Sequence, residues 1–77
     1  HILYTMKKIK KIKIRFNGKS KLINANSKIQ NLIIDLKIPI KKVAIELNKK
    51  ILDKKKLNSI KLKNNDKIEI VHFIGGG

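Results

Sequence analysis

The sequence predicts an α+β domain, a mixed sheet of four to five strands packed on one helix, and three observations carry that prediction. Apolar residues alternate with polar ones near the start of the chain (Ile12, Ile14, Phe16), and near its end Ile68 and Ile70 share one face with His72. Between these stretches Ile29, Leu32, Ile33 and Leu36 recur at helical spacing. Turn-forming residues, Asn17-Gly18 first among them, separate the periodic segments.

The first strand spans Lys8 to Phe16 and alternates from Ile12, with Lys11, Lys13 and Arg15 on the face opposite the apolar residues. Asn17-Gly18 is a hairpin signal, because both central residues of a type I′ turn need positive φ. Lys19 to Ile23 returns as the second strand, with Lys19 and Lys21 turned to water. Ser27 stands three residues before Gln30, the spacing of a capping box, and predicts a helix over about Lys28 to Lys37 that Pro39 ends. Val43 to Leu47 is a third strand, with Val43, Ile45 and Leu47 on one face. After a turn at Asn48 to Lys50, a short strand follows at Ile51 and Leu52.

Asp53 to Leu62 is lysine-rich and reads as irregular with one 3₁₀ turn, anchored by Leu57, Ile60 and Leu62. Lys63 to Asp66 is a turn in which Asn65 best tolerates left-handed backbone. Lys67 to Phe73 is the last strand: Ile68, Ile70 and His72 share one face, while Glu69, Val71 and Phe73 share the other. With apolar residues on both faces it belongs at the centre of the sheet and offers its end to something else. A first and a last strand that are both central lie most simply side by side and parallel, which makes the order a β-grasp, the ubiquitin-like arrangement.

Seventy-seven residues hold one small domain and no deep cleft. Without cysteine, disulfides, zinc-thiolate sites and thiol nucleophiles are excluded. No apolar run is long enough to span a membrane. Met6 is the natural start, which leaves residues 1–5 as an extension outside the domain, 6–73 as the domain and 74–77 as a tail. The net charge of +15 invites a nucleic-acid reading. Against it, 19 of the 20 basic residues are lysine and only Arg15 offers a guanidinium fork. Tyr4, Phe16 and Phe73 make a poor stacking platform. A basic nucleic-acid-binding module stays as the alternative from another class.

The chain ends on VHFIGGG. With the Asn17-Gly18 turn, the segment VAIELNKKIL from Val43 and the segment NNDKIEIVHF from Asn64, this ending resembles the ubiquitin-like sulfur carriers, and among them those of thiazole formation in thiamin biosynthesis. The resemblance covers Met6 to Gly77. It implies a carrier and not an enzyme: a partner adenylyltransferase of the ubiquitin-activating type uses ATP to adenylylate the Gly77 carboxylate. A persulfide enzyme then supplies sulfur for a thiocarboxylate, and thiazole synthase receives it. The carrier binds no cofactor of its own. Ile74, Gly75 and Gly76 would enter the partner active sites, a reach of roughly 13 Å at full extension for the four residues to Gly77. Val71, Phe73, Glu46 and Glu69 would form the docking face.

The expected protein is monomeric when free and cytoplasmic or in an organelle stroma, and composition and hydropathy give it no specific nucleic-acid or membrane partner. Carriers for molybdopterin synthesis or tRNA thiolation, and ubiquitin-like modifiers that form isopeptide bonds, share the activated terminus and remain alternatives. The chain departs from the family pattern in two places: DKKKL from Asp53 stands where a proline, an arginine and an aromatic residue are common, and Asn65 stands where glycine commonly precedes the aspartate. His72 reads as a structural residue, and Asp66 with Glu69 as surface acids and not a metal or acid-base pair.

Overall fold

The computed structural model describes residues 10–73 of the chain. Its elements are β1 (Lys11–Phe16), β2 (Lys19–Asn24), α1 (Ile29–Asp35), a 3₁₀ turn (Ile40–Lys42), β3 (Val43–Leu47), β4 (Lys50–Ile51), a second 3₁₀ segment (Lys54–Ser59) and β5 (Lys67–His72). The five strands form one sheet in the order β2-β1-β5-β3-β4. β5 lies at the centre, parallel to β1 and antiparallel to β3, which is the β-grasp arrangement. The extension at residues 1–5, the first residues of the expected first strand, and the tail at 74–77 lie outside the described residues.

Both hairpins close through left-handed residues. Asn17 (φ 50°) and Gly18 (φ 83°) join β1 to β2, and Asn48 (φ 52°) and Lys49 (φ 71°) join β3 to β4. Paired positive φ values match the twist of the flanking strands. Asn65 (φ 73°) takes the left-handed position before Asp66, so the commonest glycine substitute fills the place where relatives by resemblance carry glycine.

α1 and the second 3₁₀ segment cover one face of the sheet. Ile29, Leu32 and Ile33 of the helix, with Leu57 and Leu62 from the following loop, bury the inward residues Ile14, Val43, Ile45 and Ile68. All nine are nearly inaccessible to water. Burying an aliphatic side chain of this size contributes about 1.5–3 kcal/mol, so this cluster supplies the main favourable term of a cysteine-free domain. Ile60 packs at its margin, as the irregular segment requires.

Several elements differ from the sequence expectation. The helix starts one residue later than a Ser27 cap implies: Lys28 is the N-cap, and its N–H donates to Oδ1 of Asn31 at 2.9 Å, while the Ser27 hydroxyl donates to the Asn24 carbonyl. The helix also ends before Pro39 acts. Lys37 adopts φ 54°, its N–H donates to the Ile34 carbonyl at 3.1 Å, and the Ile38 N–H donates to the Ile33 carbonyl at 3.1 Å. These two bonds are a Schellman motif, with Ile38 returning to the core as its apolar closure. β4 is Lys50–Ile51, and Leu52 is held by a bond to the Ile45 carbonyl outside the strand. Lys21 does not face open water. It sits opposite Ile14, on the helix side of the edge strand, and is half-buried, while Leu22 points to the uncovered side.

Lysine at the left-handed residue after α1 carries a Cβ that glycine lacks. Lys37→Gly is expected to stabilise the domain by about 0.5–1 kcal/mol, because relief of left-handed strain exceeds the added freedom of the unfolded chain. Urea denaturation with an unchanged slope and a higher midpoint checks this; a lower midpoint overturns it.

Candidate functional site

The helix leaves the other face of the sheet open. On β5 this outer face carries Lys67, Glu69 and Val71, followed by Phe73; on β3 it carries Ala44 and Glu46; on β4 it carries Ile51. The register sets these neighbours: Ala44 lies opposite Val71, Glu46 opposite Glu69, and Ile51 opposite Glu46. On β1 the same face presents Lys11, Lys13 and Arg15, with Arg15 level with Lys67. The open face therefore has a basic half over β1 and an apolar and acidic half over β5, β3 and β4.

Each expected docking residue falls on that second half. Val71, on the strand at the centre of the sheet, and Phe73, just past its end, are each 47% exposed. Glu46 and Glu69 face each other directly across the β3–β5 pair. Opposed carboxylates destabilise a sheet unless a cation comes near them. Ile51, 73% exposed, extends the apolar patch and was not signalled by the sequence, where two residues of strand give no period to read.

Phe73 lies where the strand becomes the tail, and its position is defined. Its N–H donates to the Lys42 carbonyl at 3.0 Å, which carries the β3–β5 ladder past the end of β5. Lys54 places its Nζ 5.2 Å from the centre of the Phe73 ring. A cation over an aromatic face at such a distance contributes about 0.5–1 kcal/mol at an exposed site. Lys54 belongs to the DKKKL stretch that departs from the family pattern, and its contact with Phe73 was not legible in the sequence. Ile74, Gly75, Gly76 and Gly77 lie outside the described residues.

Of the other singled-out residues, His72 is exposed at the end of β5, and Asp66 has structural partners. Asp66 Oδ2 accepts from the Lys63 N–H at 2.7 Å and its Oδ1 accepts from Asn48 Nδ2 at 3.1 Å, so this acid ties two turns together. Among the described residues no three histidine, cysteine or acidic side chains gather as a metal site would need. A recess of about 710 Å³ opens between α1 and the second 3₁₀ segment, lined by three lysines, one glutamine and five aliphatic residues. Among the described residues no helix is long and apolar enough to cross a membrane. The lysines are spread over β1, β2, the turns and both 3₁₀ segments, not gathered on one groove.

Comparison with known proteins decides the family. Residues 14–77 match the model of the ThiS family. The chain belongs to the ThiS family. It is 38% identical over 65 residues to the sulfur carrier protein ThiS of Bacillus subtilis, a match covering 83% of this chain and 98% of that one. The crystal structure of a thiamine biosynthesis protein (ThiS) from Geobacter metallireducens superposes with a TM-score of 0.75 at 28% identity, covering 86% of this chain and all of that one. A thiazole synthase of Magnetococcus marinus is 36% identical over 66 residues, covering 86% of this chain. The chain spans about one fifth of that synthase's length. Family membership and the ThiS neighbour agree with the β-grasp fold of the chain.

The half-exposed placement of Phe73 has an energetic signature. Phe73→Ala should lower domain stability by about 1 kcal/mol or less, since only part of its area and the Lys54 contact are lost. Ile45→Ala, in the middle of the core, should cost about 2–5 kcal/mol. Urea denaturation of the two variants compares them directly; equal losses would mean that Phe73 serves the core and not a partner.

Proposed function

We propose that the chain carries sulfur as a thiocarboxylate on Gly77 and delivers it to a thiazole synthase. The observation that carries this reading is the placement of β5. A strand paired on both sides near its start leads straight to the tail, and it does so beside an apolar, acid-bearing patch that the rest of the fold leaves open. Such a patch at the root of a tail supports docking, with Val71, Phe73 and Ile51 covered by the partner and Glu46 and Glu69 receiving a basic group from it.

The chemistry follows from a terminal carboxylate. An oxygen of Gly77 attacks the α-phosphate of ATP held by an adenylyltransferase, and pyrophosphate leaves. The terminal sulfur of a persulfide enzyme then attacks the acyl-adenylate and AMP leaves; a second thiol cleaves the S–S bond of the resulting acyl disulfide, forming a disulfide with the enzyme's cysteine and releasing the thiocarboxylate. Gly75, Gly76 and Gly77 present no side chain, so a narrow channel admits them in any backbone conformation. The carrier contributes the reacting carbon and its presentation, and the acids, bases and ATP site belong to the partners. It therefore acts as a protein substrate, with no cofactor of its own, in the cytoplasm or an organelle stroma.

The recipient is read from relatives. Two thiazole synthases, from Magnetococcus marinus and Paramagnetospirillum magneticum, carry a stretch 36% and 35% identical to this chain. A carrier-like module within a synthase chain supports thiazole synthase as the partner over molybdopterin or tRNA enzymes.

Incubation with the adenylyltransferase, ATP and a persulfide donor should add to Gly77 the mass of one sulfur in exchange for one oxygen. Removing Gly77, or adding a residue after it, should abolish that gain while circular dichroism stays that of the folded domain. Unchanged mass on the intact chain with all three components would overturn the carrier chemistry. A new bond to a lysine of another protein would identify a modifier instead.

A further inference from the structure

β5 is paired unevenly. On the β3 side its register runs from Ile68, opposite Leu47, to His72, opposite Val43, and Phe73 continues it. On the β1 side the strand register ends with Phe16 opposite Ile68, because the chain turns away at Asn17-Gly18. Asn17 adds two bonds beyond that point. Its N–H donates to the Ile68 carbonyl at 2.9 Å, and its Oδ1 accepts from the Ile70 N–H at 2.8 Å.

Backbone groups alternate in direction along a strand. The Ile70 N–H points to the β1 side, so the Ile70 carbonyl and the N–H and carbonyl of His72 point there as well. Among the described residues no donor or acceptor meets these three groups. An edge of this kind is a template for another strand.

We propose that the open edge from Ile70 to His72 pairs with an extended segment of thiazole synthase, which adds a sixth strand just before the tail. The inference deepens the proposed function and rests on it. Three observations favour this occupant. The edge lies on the strand that leads into the tail, so any enzyme that receives the tail passes beside it. Val71 and Phe73 stand on the outer face next to the edge, where alternate side chains of an added strand would cover them. A recess of about 400 Å³, lined by Arg15, Asn17, Gly18, Lys67, Ile68 and Glu69, opens where β1 stops. Its two cations, Arg15 and Lys67, outnumber its one acid, Glu69, and favour a carboxylate on the incoming segment. Pairing there also holds β5 extended to the root of the tail, which reduces the freedom lost when the tail enters.

Hydrogen exchange of the unaltered chain, followed residue by residue, tests the pairing. Free, the His72 amide exchanges freely while the Phe73 amide is protected by Lys42. In complex with thiazole synthase, His72 protection should rise about tenfold or more, the equivalent of one net hydrogen bond. A second test uses His72→Pro, which removes an N–H that makes no bond to β3. The variant should fold like the parent and bind the synthase about tenfold more weakly, while His72→Ala binds normally. A complex that forms and perturbs Val71 and Phe73 but leaves His72 exchange unchanged overturns the edge pairing alone. Failure of the synthase to bind at all overturns both the pairing and the proposed recipient. The exchange measurement stands by itself if proline perturbs the fold.

Discussion

The placement of β5 between β1 and β3 is the constraint on which the rest depends, and asparagine side chains hold it as much as the strands do. The parallel register with β1 contains two residue pairs. Around it, Asn64 Oδ1 accepts from the Lys13 N–H at 2.8 Å and Asn17 Oδ1 accepts from the Ile70 N–H, while on the β3 side Asn48 Oδ1 accepts from the Lys67 N–H at 2.9 Å. Each carboxamide supplies the carbonyl that a longer neighbouring strand would have supplied. Because parallel strands pair less strongly and the overlap here is short, side-chain acceptors at both ends of the ladder are needed to fix it. The same residues set the hairpins, since Asn17 and Asn48 also take the left-handed turn positions.

Turn chemistry explains what the sequence made legible. Asn17-Gly18 and Asn65 were readable because few residues accept positive φ, and the central place of β5 was readable because both of its faces are apolar near its end. The parallel contact of β1 with β5 followed from their shared burial. The misses have equally local causes. Lys37 ends the helix in a conformation that lysine rarely takes, so nothing in its identity announced a stop. Lys21 lies on the helix side of an edge strand, where its aliphatic stem covers apolar surface and its charge still reaches solvent; charge alone pointed the wrong way. Ile51 and Lys54 acquire their roles from cross-strand and loop contacts to Glu46 and Phe73, which no sequence period encodes.

The charge of the chain is informative in a different way. Its basic residues sit on nearly every element, which gives a general attraction to polyanions that salt screens. The acids are few, and two of the five face each other on the patch beside the tail. In a surface otherwise dominated by lysine, this is where negative charge is concentrated, and under the proposed function a partner's basic group would meet it there. The overall charge and the docking chemistry thus have opposite signs, and net charge alone misleads about the partner.

The proposed carrier role needs little from the fold except a fixed origin for a short reach. Four residues extend about 13 Å, so an error of a few ångströms at Phe73 would be a large fraction of the available length. The ladder to Lys42, the Lys54 contact on the ring and the asparagine bonds behind β5 all act on that origin. Their individual contributions to stability are small, each about 1 kcal/mol. Their common effect is to fix the position of Phe73, the origin from which the proposed reach is measured. Rigidity up to Phe73 and thinness beyond it are complementary, and moving the boundary between them in either direction would shorten the reach or raise its entropic cost.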